Sequence, residues 1–413
     1  MKVNQSRTKP KRSRAHGPRA KSGSVHKFSQ ATGTVRINHP KRRKIIDCAI
    51  RTLRASKNHE KHFMFPDLFF HWIFITEGAR GWFSKQNLYE AIEGRVRRPK
   101  ANSVYFHTRK QLLRKPTRSN HAVSVLAEKL EREGTVFLKP TGPFAGEAAG
   151  IARIQQKKGT LTITLTEESR VRSLAATLGQ ISFRVEGNRT ITIPLNRTQS
   201  IRNVLRIITS SQFEQRNTFE QRNIVESEIR IPLYKGRKWE IRTVVQSPNR
   251  EPEVVGHQAK LGATNTIIAN VGRGGKGAES SQIVTELYKV AYPKKSEAEI
   301  GALTTEFFRK ANVEAEKSIS ALNKLIQGLG ERYLSGFPKS ELYAREAAVD
   351  ISGEFNPRTG KMDPVVIEVQ YPFFGGQEDF RTFDPLGYSR YKKNRKKMAQ
   401  EGKNTLMRAF GLT

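Results

Sequence analysis

Late in the chain, two runs of small and β-branched residues each carry a single carboxylate, Asp350 in AAVDIS and Glu368 in VVIEVQ. The stretch between them, NPRTGKMDP, has the Asn, Pro and Gly of a turn, so the runs are predicted to be neighbouring strands. An acid in a mostly buried strand is costly unless something answers its charge. Two answers are open. Magnesium takes one or two carboxylates with phosphate and water oxygens, and Gln370, on the same strand face as Glu368, adds an amide oxygen. The other answer is structural pairing with Arg345 or Lys361.

Upstream, the β-rich runs TVFLKP and TLTITL flank a stretch containing Gly142, Gly146, Gly150 and Gly159. The pattern predicts strand, flexible loop, strand. Lys139, at the end of the first run, can place its ammonium over phosphate oxygens while glycines such as Gly146 let backbone N–H groups approach. The bland reading is a solvated hairpin. In WEIRTVVQ, alternation puts Glu240, Arg242 and Gln246 on one strand face, around Val244. The planar fork of Arg242 can neutralise a transferring phosphoryl group, or simply pair with Glu240 on an exposed face. Further strands are predicted at ISFRVEG, TITIPL, IVESEIRIPL and PEVVGHQAKL. Helices are predicted at IIDCAIRTL, AVSVLAEKLERE, SIRNVLRIIT and from Ser296 to Leu334. The mixture points to an α+β fold without strict βαβ alternation.

A chain of 413 residues is long enough for two or three domains. Residues 1–45 hold fourteen Lys or Arg and no acid, and are predicted to be a disordered basic arm. Residues 46–133 read as a helical lead-in, 134–225 as a small lobe with the glycine loop, 226–378 as a large lobe with the acidic strands, and 379–413 as a basic tail. The net charge of +36 favours contact with a polyanion through arm and tail. Cys48 is the only cysteine, which excludes an internal disulfide and makes a cytoplasmic setting the default. The most apolar run, FMFPDLFFHWIFIT, is too short to cross a bilayer, and the basic start lacks an apolar core of the secretory kind. No arrangement suited to a nucleophilic Ser or Cys stands out.

In this order, FLKPTGPFAGEAAGIARI, NIVESEI, WEIRTVVQ, IANVGRGG, AAVDIS and VIEVQ resemble the ATP-grasp superfamily, and within it the endospore coat-associated branch. The resemblance spans about Gly134 to Gly376. It implies two α+β lobes clasping ATP, with Mg²⁺ between phosphates and protein. Lys139 would contact the α and β phosphates, Glu226 the adenine and ribose at the hinge, and Arg242 the γ phosphate. Asn270 would lie near the triphosphate, and Asp350, Glu368 and Gln370 would hold magnesium. The chain departs from the pattern at Glu240, where Asp is common, at Glu226, where this branch often has Gln, and at Gln370, where Asn is usual. The implied chemistry joins a carboxylate to an amine through an acyl phosphate; spore association is a further implication. A rival expectation is a polyanion-binding protein whose ATP-grasp core is silent.

Overall fold

The computed structural model describes residues 36–37, 67, 85–106, 116–140, 151–166, 184–186, 189–196, 198–205, 221–264, 266–271, 274–371 and 376–409. Cys48, Gly146, the basic arm apart from residues 36–37, and the apolar run apart from Asp67 lie outside them.

Fourteen strands appear among the described residues. They are β1 (Arg36–Ile37), β2 (Ala101–Phe106), β3 (Thr135–Pro140), β4 (Ala152–Lys157), β5 (Thr160–Leu165), β6 (Arg184–Glu186), β7 (Thr190–Pro194), β8 (Gln221–Ser227), β9 (Trp239–Gln246), β10 (Glu253–Leu261), β11 (Lys276–Ala278), β12 (Leu334–Ser335), β13 (Glu346–Phe355) and β14 (Met362–Gln370). Six helices accompany them: α1 (Lys85–Ile92), α2 (Pro116–Glu133), α3 (Ser280–Ala291), α4 (Glu297–Tyr333), α5 (Gln377–Phe383) and α6 (Pro385–Ala409). Residues 198–205 are also helical. Strands β1 and β12 form a two-residue pair.

A seven-stranded sheet, ordered β2-β8-β3-β4-β5-β7-β6, forms the first lobe. Its strands alternate: in β5 and β7 every second residue is buried, and that apolar face meets Ala122, Leu126 and Leu130 of α2. Helix α2 stops at Gly134, which adopts φ +71° and donates its N–H to Leu130 O at 2.8 Å, the left-handed terminator that glycine supplies without strain. Strand β4 falls within the glycine-rich stretch expected to be a loop. Gly159, at φ +69°, turns the β4–β5 hairpin.

The second sheet, β11-β10-β9-β13-β14, is antiparallel throughout. Helix α4 covers one face. Phe307, Ala311, Ala315, Ile319, Leu322 and Ile326 recur at helical spacing and pack with Trp239, Ile241, Val349 and Val366 of the sheet in a single core. Each large apolar side chain buried there contributes about 1.5–3 kcal/mol. On the opposite face, Val244 and Val255 pack against Phe380 of α5 and Tyr391 of α6. Strand β13 lies between β9 and β14, and its first eight residues are all buried.

Three expected boundaries change. Residues 379–413, read as a basic tail, supply most of α5 and α6, which pack on the second sheet. The stretch 46–133 contributes not only helices but edge strand β2 of the first sheet. The division at 225/226 falls inside β8, because that strand is paired on both sides, with β2 and β3, up to its end.

Candidate functional site

Two polar clusters lie at the two sheets. In the first, Lys139 near the end of β3 forms an ion pair with Glu226 on neighbouring β8. Glu226 is 1% exposed, and Arg98 reaches its other oxygen at 3.4 Å. Arg98 is itself fixed, lying 4.2 Å over the Tyr89 ring and donating to Tyr89 O at 2.9 Å. Lys139 and Glu226 border an open cleft. Its walls are apolar, with Phe137 from the first sheet, Ile229 and Ile231 beyond β8, Ile268 from a loop and Ile367 from β14, while Lys238 and Glu240 add polar groups at the second sheet. An apolar slot with a few charged groups at its edge suits a flat heteroaromatic ring attached to an anionic tail.

From Glu240 the second cluster continues across the second sheet. Lys260 on β10 donates to Glu240 at 2.8 Å and to Asp350 on β13 at 2.7 Å. Arg242 on β9 holds Asp350 with both arms of its fork, at 3.0 and 3.1 Å. Gln370 donates to the same carboxylate at 3.0 Å. Strand register builds this cluster: Glu240 lies opposite Lys260, Arg242 opposite both Gln258 and Asp350, and Asp350 opposite Glu368. A register shift next to Asp350 leaves Ile367 as an extra residue on β14. Ile367 turns to the cleft, and its carbonyl accepts from Tyr89 at 3.1 Å.

The electrostatics follow from the pairing. Burial pushes the Asp350 carboxyl up, but the Arg242 and Lys260 charges outweigh it and hold it well below the usual carboxylate range. Burial disfavours the charged forms of Arg242 and Lys260 as well, yet Asp350 reverses that and raises both. This corrects one expectation from sequence. Neither Arg345 nor Lys361 answers Asp350: Arg345 pairs with Glu341 at 2.8 Å and Lys361 with Glu306 at 2.7 Å.

Glycines bring the chain close over this cluster. At Gly376, with φ +86°, a Cβ would stand 2.6 Å from Gln258 Nε2 and 3.6 Å from Arg242 Nη1, so no other residue fits without displacement. Asn270 sits in the loop that follows β10, and its carbonyl accepts from Gly275 at 3.2 Å. Of the residues singled out from sequence, the structure joins Lys139 with Glu226 and Arg242 with Asp350 and Gln370, and sets Glu368 opposite Asp350. Asn270 follows directly after Ala269, which lines the cleft; Gly146 lies outside the described residues. Sequence reading missed Lys260, Arg98 and Lys238. For Lys260 a signal existed, because Gln258 and Lys260 alternate on β10 as Glu240 and Arg242 do on β9.

Comparison with known families bears on this arrangement. The YheC/D-like ATP-grasp family matches residues 111–323, which hold α2, strands β3 to β11 and α3 and run through most of α4. The chain belongs to that family. Its two antiparallel sheets with separate helices are the ATP-grasp form of the α+β class. The chain also matches the D-alanine-D-alanine ligase of Coxiella burnetii, at 12% identity over 83% of this chain and 64% of that one, with a TM-score of 0.35. A second match is D-alanyl-alanine synthetase A of Vibrio cholerae O1 biovar eltor str. N16961, at 7% identity over 81% and 72%, with a TM-score of 0.34. No curated protein matches the chain. Among the described residues of this ATP-grasp chain, no helix is long and apolar enough to cross a membrane.

ATP-grasp proteins generally use ATP with magnesium, and the donor set can be tested against that ion. Asp350 and Glu368 are opposed in register with Gln370 one step along, which gives two carboxylates and an amide on adjoining strands. Magnesium needs no third acid when phosphate oxygens complete its shell, so the absence of a larger acidic cluster among the described residues is compatible with it. The residues fit. Asp350 is shared, however, and Lys260 has Glu240 as a second carboxylate if Asp350 turns to a cation.

Proposed function

We propose that the cleft binds Mg-ATP and that the protein couples a carboxylate to an amine or similar nucleophile. The continuous path from the apolar slot at Lys139 and Glu226, through Glu240, to the Arg242–Lys260–Asp350 cluster carries this reading. Phe137, Ile229 and Ile367 would sandwich the adenine, and Glu226 would accept from the ribose. Lys139 would turn from Glu226 towards the α and β phosphates. Arg242 and Lys260, already oriented, would face the γ phosphate at little reorganisation cost, which is how fixed charges stabilise a transferring phosphoryl group. Asp350, Glu368 and Gln370 would hold magnesium, whose chemistry here is charge neutralisation. Asn270 would lie beside the triphosphate.

The reaction this supports begins when a substrate carboxylate oxygen attacks the γ phosphorus and ADP leaves. The nucleophile then displaces phosphate from the acyl phosphate. No nucleophilic side chain is required, because positioning and charge carry the chemistry. Incubation with labelled ATP and pools of amino acids, followed by measurement of ADP and a new amide product, tests the reading. ADP release that depends on the added pool is expected. Arg242→Lys keeps the charge beside Asp350 but loses the fork, and should lower turnover ~100-fold. Pool-independent ATP hydrolysis, or turnover unchanged in Arg242→Lys, would contradict it.

A further inference from the structure

Helix α6 carries a dense positive charge on its outer face. Arg390, Lys392, Lys393, Lys396 and Lys397 are all exposed, and the only acid in the helix is Glu401, 4.0 Å from Lys397. Among the described residues no other carboxylate pairs with these five. Lys392 and Lys396, Lys393 and Lys396, and Lys393 and Lys397 stand three or four residues apart, where like charges on a helix repel. That repulsion works against the helix. Its opposite face stabilises it, with Tyr391, Met398 and Leu406 buried, Gln246 donating to Tyr391 O at 3.1 Å, and Arg395 paired to Glu346 at 3.3 Å. Lys392 lies 5.9 Å from the Tyr388 ring and Lys397 meets Glu401, but these two contacts do not account for five cations on one face.

The chemistry of that face narrows the partner. A helix that lies in a membrane surface inserts its apolar side between lipids, and the apolar side of α6 is spent inside the protein. Flanking the cations are exposed Ser389, Gln400 and Asn404, neutral groups of the kind that bond phosphate and sugar oxygens beside Lys and Arg in nucleic-acid complexes. The net charge of +36 adds long-range attraction for any polyphosphate chain. We propose that the outer face of α6 docks on the phosphate backbone of nucleic acid, without base preference, through Arg390, Lys392, Lys393, Lys396 and Lys397. None of these five residues lines the nucleotide cleft, and the proposal does not depend on the reading given to it.

The test uses the full chain and a short labelled DNA duplex of arbitrary sequence, with fluorescence anisotropy across a salt series. The variant combines Lys392→Gln, Lys393→Gln, Lys396→Gln and Lys397→Gln. Each phosphate contact contributes about 0.9 to the slope of log K against log salt, so the variant should lose roughly three to four units of slope. Its melting temperature should be kept, because the four residues are exposed. A companion with the same four lysines changed to Arg should retain duplex binding and slope. An unchanged slope in the Gln variant would overturn the proposal, as would loss of binding in the Arg variant. Binding of the native chain to phosphatidylserine vesicles without binding to the duplex would overturn it in favour of a membrane.

Discussion

At Asp350, one carboxylate answers the buried Arg242 and the partly buried Lys260 and accepts an amide besides. Its removal leaves Arg242 without that partner and Lys260 with Glu240 alone. Breaking a buried pair by deleting one member typically costs 3–5 kcal/mol, because the other charge stays desolvated. Asp350→Asn is therefore expected to lower stability by about 3–5 kcal/mol in urea unfolding; a loss under about 1 kcal/mol would mean that the pairing does little for stability. A second residue gives a pH signature. Burial raises the Asp67 carboxyl from 3.8 to about 7, against the pull of Arg345, while the N–H groups of Arg345 and Glu346 donate to it at 3.0–3.1 Å. The folded state then holds a proton that the unfolded chain releases. Its contribution is full below the unfolded value and is lost as pH rises through about 7. His257 acts the other way: burial lowers it from 6.5 to about 4, so its contribution is lost as pH falls through that window. The two oppose each other in wild type. Asp67→Asn should expose the His257 slope, with stability rising between about pH 4 and 6.5, and wild type should lose stability relative to the variant up to about pH 7. Parallel stability curves for the two proteins would rule out the proton on Asp67.

At the scale of elements, the parts legible in the sequence are those whose local signals agree with their burial. Helix α4 runs from Glu297 to Tyr333 with Ser296 as its N-cap, close to the span predicted from Ser296 to Leu334. There a capping box, in which Ser296 accepts from Glu299 N and Glu299 accepts from Ser296 N, coincides with the start of the apolar period. Ser296→Ala should cost about 1 kcal/mol in unfolding free energy; no measurable change would mean that the cap does not anchor the helix. Strands β9, β13 and β14 were readable because polar residues stand out against β-branched runs. Strand β4 was not, since ARIQQK is mostly polar and buries only Ala152 and Ile154. Helix α6 hid for a similar reason: Tyr391, Met398 and Leu406 are sparse among its cations. Lys260 was missed because its partners lie 20 and 90 residues away in sequence. The alternation of Gln258 and Lys260 marks a polar strand face, but only register shows which residues that face meets.

For the whole molecule, the reading requires two sheets to present one nucleotide site. Lys139 and Glu226 belong to the first, and Arg242, Lys260 and Asp350 to the second. The family match supports ATP as the ligand, while the choice of acceptor rests on the loops around the cleft rather than on the fold. The most direct test is thermal and chemical unfolding with and without Mg-ATP, on wild type and on Lys139→Ala. Ligand at ~100 times its dissociation constant should stabilise wild type by about 2.7 kcal/mol. That gain should shrink in Lys139→Ala and disappear when magnesium is withheld. No stabilisation of wild type by millimolar Mg-ATP, or an equal gain in Lys139→Ala, would contradict a nucleotide site built from both sheets.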